Sequence, residues 1–274
     1  QVKSVEEYDL IAKNVRGIEK KPLPHILATT NLILHGVDIP NIVHGNSLAR
    51  PLRDYSKKEK VDVVLTNPPF GGVEEDGIQA NFPNTFRTKE TADLFMVLIM
   101  HLLKDNGRAA IVLPDGFLFG EGVKTRIKEK LLQEFNLHTI VRLPNGVFAP
   151  YTGIKTNLLF FEKGKPTKEI WYFEHPYPEG VKSYSKTKPI RIEEFDREKA
   201  WWNNRVENEY AWKVTAEEII EQGYNLDQKN PHTSDEELPS PEEALKKYET
   251  AVAQVQQVKN QLKDELAKIL KGLK

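Results

Sequence analysis

One strand in this chain is forced to stop, and that constrains the fold more than any other feature. Val61-Asp62-Val63-Val64-Leu65 has strand character and runs through Thr66 into Asn67-Pro68-Pro69-Phe70-Gly71-Gly72. Two consecutive prolines supply no backbone N–H and fix φ, so neither a helix nor a continuing ladder is open there. A buried strand that ends in a stiff turn puts its last residues at the carboxyl edge of a sheet, where open α/β folds bind ligands. That edge then carries an amide (Asn67), a backbone carbonyl (Pro68) and an aromatic ring (Phe70).

These groups suit one kind of chemistry. The lone pair of an exocyclic nucleobase amine is delocalised into the ring, so a catalyst must favour the pyramidal form in which it is free. The Asn67 side-chain oxygen and the Pro68 carbonyl can accept the two amine hydrogens and stabilise charge where it develops. Pro69 stiffens the turn, and Phe70 can stack on an extruded base. The plain alternative is a proline turn with no chemistry.

Asn67-Pro68-Pro69-Phe70, the stretch Thr91 to Leu103, and LPNGVFAPYTGIKTNLLFFEKG at 143–164 occur in this order. With them the chain resembles the amino-group DNA methyltransferases that use S-adenosylmethionine, and more narrowly the modification subunit of type I restriction-modification systems. The resemblance implies N6-adenine methylation of double-stranded DNA and a Rossmann-like α/β methyltransferase sheet with a terminal antiparallel hairpin. It also implies a separate specificity subunit, with room for a restriction subunit. Two rival readings stay open: a methyltransferase acting on a protein glutamine amide, and a non-catalytic assembly module.

The 274 residues allow one large domain plus an appendage. With a net charge of −1, a DNA-binding face must be a local patch or come from a partner. The chain has no cysteine, which excludes disulfides, thiolate metal sites and the thiolate nucleophile that methylation at cytosine carbon 5 needs. No run of residues resembles a membrane span or a leader, so a cytoplasmic protein is expected.

Along the chain, residues 3–13 read as a helix and residues 14–19 as a short strand ending in Glu19. An acid at such a strand end binds ribose hydroxyls about 20 residues beyond a Gly-rich loop. Counting back from Glu19 leaves the chain, so the cofactor loop and first strand are expected upstream of Gln1. A solvated carboxylate is the alternative. A helix from Lys21 to about His35 and a strand Asn41 to Gly45 follow, then Asn46. In the resembling family that position lies near the cofactor adenine; a Gly-Asn turn is the alternative. His25, His35 and His44 lack ligand spacing, and no metal is expected.

Val73 to Lys89 has no period and reads as a long loop, expected to be mobile without DNA and to close over the base. Thr91 to Leu103 is an amphipathic helix, and Arg108 to Pro114 a buried strand. Gly120-Glu121-Gly122 looks like a cofactor loop, but Arg142 rather than an acid stands about 20 residues on. Strands 137–143 and 156–162 lack room for a crossover helix and are expected to pair as a hairpin whose tip carries Phe148 and Tyr151. Phe148 is the candidate for the second face of the base, with burial under the hairpin as its alternative.

The expected organisation is a partial methyltransferase domain over 1–163, a small irregular extension over 164–235, a linker at 231–240, and an assembly helix over 241–274. In the extension, basic residues and tryptophans are read as packing or subunit contact before DNA contact. Gly223-Tyr224-Asn225-Leu226-Asp227 recurs in the resembling family without a reason visible in the sequence. The tail spaces Leu245, Tyr248, Val252, Val255, Leu262, Leu266, Ile269 and Leu273 three and four apart, broken at Lys259. That is a coiled-coil stripe. The resemblance implies a specificity subunit as its partner; a self-paired dimer is the alternative.

Overall fold

The computed structural model describes residues 3–233 and 241–272, which divide into a unit reaching Asn230 and a second unit beyond it. The first unit opens with α1 (Val5–Asn14), capped by the Ser4 side chain, which accepts from the Glu7 N–H. Next come β1 (Arg16–Glu19), α2 (Pro22–Leu34) and β2 (Asn41–His44). Pro22 sits at the start of α2, where its missing N–H costs nothing, and Gly36 leaves the helix at φ 84°. β1 and β2 pair in parallel, with Glu19 opposite His44.

The main sheet contains β3 (Val61–Thr66), β4 (Leu103–Pro114), β5 (Phe135–Arg142), β6 (Thr156–Lys163), β7 (Glu169–Glu174) and β8 (Ala211–Thr215), in the order β3-β4-β6-β5-β7-β8. β3 runs parallel to β4, and β5 to β7, while β6 lies antiparallel between β4 and β5. The antiparallel β5–β6 pair expected from its short connection is therefore present. β3, β4, β5 and β7 all point one way, so their carboxyl ends share one edge of the sheet. α3 (Thr91–Leu102), α4 (Asp115–Phe119) and α5 (Val123–Glu134) pack with the sheet around a core that includes Leu94, Phe117, Leu131 and Phe161. Burial on α3 reaches Leu94, Met96, Val97, Leu98, Ile99 and Met100, more than one stripe.

Several expectations change. β4 begins at Leu103, directly off α3, rather than at Arg108; a kink lies inside it, at Asn106 (φ 62°) and Gly107. A Cβ at Gly107 would stand 2.8 Å from the Lys104 carbonyl oxygen, so only glycine fits. Lys163 is no break in the sheet. Residues 164–235 are not simply an irregular extension, because they add β7 and β8 beyond the hairpin, with α6 (Asp196–Trp202) between those strands and α7 (Ala216–Glu221) after them. The hairpin is thus flanked rather than terminal. Val73 to Lys89 folds into two 3-10 turns that bury Phe82, with Val73 bridged to Glu90.

Among the described residues β1–β2 is a sheet by itself, and β3 pairs only with β4. The proposed linker falls mostly on residues 234–240, outside the described residues, as does Leu273. The second unit is α8 (Pro241–Gly272). Its Leu245, Tyr248, Val252, Val255, Leu262 and Leu266 are exposed. No helix is long and apolar enough to cross a membrane among the described residues.

Candidate active site

β3 delivers the proline corner to the shared carboxyl edge. Pro68 is buried and anchors the turn, Phe70 is half-buried, and Asn67 and Pro69 are exposed. Neither the Asn67 side chain nor the Pro68 carbonyl has a hydrogen-bond partner among the described residues. Both oxygen acceptors therefore keep their lone pairs free of protein donors among the described residues. Gly71, at φ 80°, opens space beside the ring.

The tip of the β5–β6 hairpin reaches this corner. Phe148 meets Phe70 edge to face, with ring centroids 5.0 Å apart and planes at 71°. Tyr151, the other aromatic of the tip, is 91% exposed. The tip is held on its far side by Tyr177, whose hydroxyl donates to the Asn145 carbonyl at 2.9 Å.

Glu19 ends β1 and Asn46 follows β2 at the same end, because the two strands are parallel neighbours with Glu19 opposite His44. The Glu19 carboxylate accepts from the Lys21 N–H at 2.7 Å through Oε1. Asn46 forms the turn considered for it, its Oδ1 accepting from the Leu48 N–H at 2.9 Å, while its Nδ2 donates to Glu74 at 3.2 Å. Each amide end keeps one further hydrogen-bonding capacity. His25 and His44, also in this region, lie with rings 5.2 Å apart and bond to the Ile42 and Lys20 carbonyls.

Glu74 was missed in the sequence. Its nearly buried carboxylate takes Asn46 Nδ2 and, at 3.0 Å, the Thr91 hydroxyl, and lies 3.7 Å from Lys20 Nζ. It thereby ties the exits of β1 and β2 to the start of α3. Gly72 permits this approach, since a Cβ there would lie 2.9 Å from Thr91 Oγ1. An acid in an aperiodic loop gives no periodic signal, so only its neighbours reveal it.

Beside Gly71 opens a cavity of about 440 Å³, lined by Asp93, Pro114, Phe117, Gly120 and Lys124 among others. Asp93 is buried, and burial raises its pKa against the pull of Lys124, whose Nζ is 2.9 Å away. Burial opposes the charge on Lys124, but hydrogen bonds to Glu90 and Asp93 win and raise its pKa. Lys128 is almost wholly buried, and burial and then Lys124 lower it to about 8. Its Nζ donates to the Leu118 and Gly120 carbonyls at 2.7 and 2.9 Å, which fixes the cavity wall. Gly120 and Glu121 of the Gly-Glu-Gly stretch therefore border the cavity, and the stretch follows α4 instead of leaving a strand directly.

The recurring 223–227 stretch also finds a structural reason. Tyr224 adopts φ 63°, Leu226 is fully buried and donates its N–H to the Leu118 carbonyl at 3.0 Å, and Asp227 pairs with Arg142 at 2.6 Å. The segment latches the end of β5 and the end of α4 together. The arginine whose presence argued against a cofactor loop thus has a partner 85 residues away.

The family model described as N-6 DNA Methylase matches residues 2–239. The chain is 56% identical over 281 aligned positions to the type I restriction enzyme EcoEI methylase subunit of Escherichia coli, covering 100% of this chain and 57% of that protein. A solved modification subunit assigned to a type I restriction enzyme from Vibrio vulnificus YJ016 superposes with a TM-score of 0.81 at 52% identity, over 85% of this chain and 51% of that one. A chain from a structure of complex assembly in the type I R-M system gives a TM-score of 0.81 at 39% identity, over 100% of this chain and 58% of that one. The chain spans about half the length of the relatives it matches.

Proposed function

Because the chain belongs to the N-6 DNA methylase family, among relatives that are type I restriction methylase subunits, we propose that it is the catalytic part of a subunit that methylates N6 of an adenine in double-stranded DNA. The exposed, unpartnered Asn67 oxygen beside the free Pro68 carbonyl carries this reading. Those two acceptors hold the two amine hydrogens and stabilise the positive charge that builds on nitrogen as it is alkylated. Pro69 keeps the corner from relaxing. Phe70 stacks on one face of the extruded base and Phe148 on the other. The two rings touch, so Phe148 withdraws when the base enters.

S-adenosylmethionine is the methyl donor the family implies, and it supplies an electrophilic methyl group on a sulfonium. The residues present fit its nucleoside end: Glu19 keeps one carboxylate oxygen for ribose hydroxyls, and Asn46 keeps amide capacity for an adenine edge. The unpaired edges of β1 and β3, with Ile18 and Leu65 exposed, support a further parallel strand pairing there. The exposed apolar stripe of α8 supports docking on the helical part of a specificity subunit. A restriction subunit completes the proposed assembly.

Replacing Asn67 with alanine in the intact assembly is expected to cut methyl transfer at least about a hundredfold while circular dichroism and DNA affinity stay as in the parent. Normal turnover by that variant overturns the role of the corner.

A further inference from the structure

The basic residues of the region after β7 are arranged differently from its aromatics. Residues 175–191 carry Lys182, Lys186, Lys188 and Arg191 against one acid, Glu179, in a chain whose net charge is −1. All four cations are exposed, and none forms an ion pair. The rings turn inward. Tyr184 is 5% exposed, lies 5.4 Å from the Tyr177 ring and bonds through its hydroxyl to Glu194. Ser185 and Lys188 exchange both backbone hydrogen bonds, at 3.0 and 3.1 Å. The cations therefore stand on a folded arm.

The arm's position gives it meaning. β7 is parallel to β5, so the arm leaves the sheet at the carboxyl edge to which β3 brings Asn67. It touches the hairpin tip twice, through Tyr177 on the Asn145 carbonyl and through Gly146, where a Cβ would lie 3.0 Å from the Tyr184 carbonyl oxygen. Two residues on from Gly146, Phe148 meets Phe70. Free positive charge thus borders the loop that covers the catalytic corner; of the two acids just beyond the arm, Glu193 is exposed and Glu194 is committed to Tyr184 and the Arg191 N–H.

We propose that residues 175–191 form a DNA-backbone clamp in which Lys182, Lys186, Lys188 and Arg191 contact phosphates flanking the extruded adenine. This rests on the methyltransferase reading above. Phosphate contacts position a duplex without reading its sequence, and each releases condensed counterions. The clamp holds the duplex beside the tip, so that displacing Phe148 exposes the corner to a base already in place.

The test uses the full-length subunit assembled with its specificity subunit, with Lys182, Lys186, Lys188 and Arg191 all changed to Gln. DNA affinity is measured by fluorescence anisotropy from 50 to 200 mM salt. The slope of log affinity against log salt is expected to shrink by about one per side chain removed, equally on cognate and non-cognate duplexes, with the loss appearing in KM for DNA rather than in kcat. A K182R/K186R/K188R variant should keep the parental slope. An unchanged slope overturns the clamp, and so does a loss of slope that appears only because the variant no longer assembles, since the arm would then be a subunit contact. If the parent complex transferred no methyl group while the Gln variant still lost slope, the clamp would stand and the methyltransferase reading would fall.

Discussion

The front of the molecule, residues 3–66, and the back, from α3 to β8, use similar apolar patterns with opposite results. In the back, Phe135, Phe161, Ile170 and Tyr172 are completely buried. In the front, α1 and α2 bury no residue, and Leu65 and Leu34 remain 84% and 78% exposed. An apolar pattern decides which face an element turns inward, but whether that face gains hydrophobic stabilisation depends on a second surface to cover it. The back covers itself with α3, α5 and the added strands, whereas the front presents faces that residues 3–230 do not cover. The proline corner Asn67 to Phe70 lies at the seam between them.

Paired core truncations test this contrast most strongly. Phe161→Ala is expected to lower unfolding stability by about 3–5 kcal/mol, and Leu65→Ala in the same polypeptide by no more than about 0.5 kcal/mol, both read from denaturant midpoints. Equal losses would mean that the front is covered after all.

A titration sharpens the comparison next. His138, in the back, is pushed down to about 4 by burial and then by Arg205, whose Nη2 stands 3.3 Å from its Nδ1. The folded-state pKa is below the unfolded one, near 6.5, so the unfolded chain binds the extra proton first. The contribution is complete above pH 6.5 and is lost as pH falls towards 4, by up to about 3 kcal/mol. Stability measured over that range should fall more steeply for the parent than for His138→Gln; parallel curves would show that the back does not hold this ring neutral.

Glu74→Ala acts on the seam itself. It leaves the Thr91 hydroxyl and Asn46 Nδ2 without their acceptor and is expected to cost about 1–2 kcal/mol, with faster proteolytic cleavage between residues 74 and 89. A variant as resistant as the parent would show that the seam is held elsewhere.

What could be read in advance follows the same division. β3 and its corner were legible because two prolines act within a few residues of themselves, and the β5–β6 pair because its connection has no room for a crossover helix. β7 and β8 were not. Their strand-like pieces have no βα alternation around them, and only pairing with Arg142's strand and with each other made them part of the sheet. Trp201 and Trp212 proved to be packing residues, whereas Lys182, Lys186, Lys188 and Arg191 of the same region stayed exposed, a separation that burial alone reveals.

The amino-acid sequence by itself determined where this chain must turn and which short segments carry oxygen acceptors and rings, because proline geometry, helix caps and strand alternation are local. Only the tertiary structure decided that Phe148 rather than Tyr151 meets Phe70, that Glu74 binds three segments together, and that a basic arm emerges on the same sheet edge as the proline corner. Those facts depend on strands far apart in the chain sharing one direction, and hydrogen-bonded pairing across the sheet sets that direction.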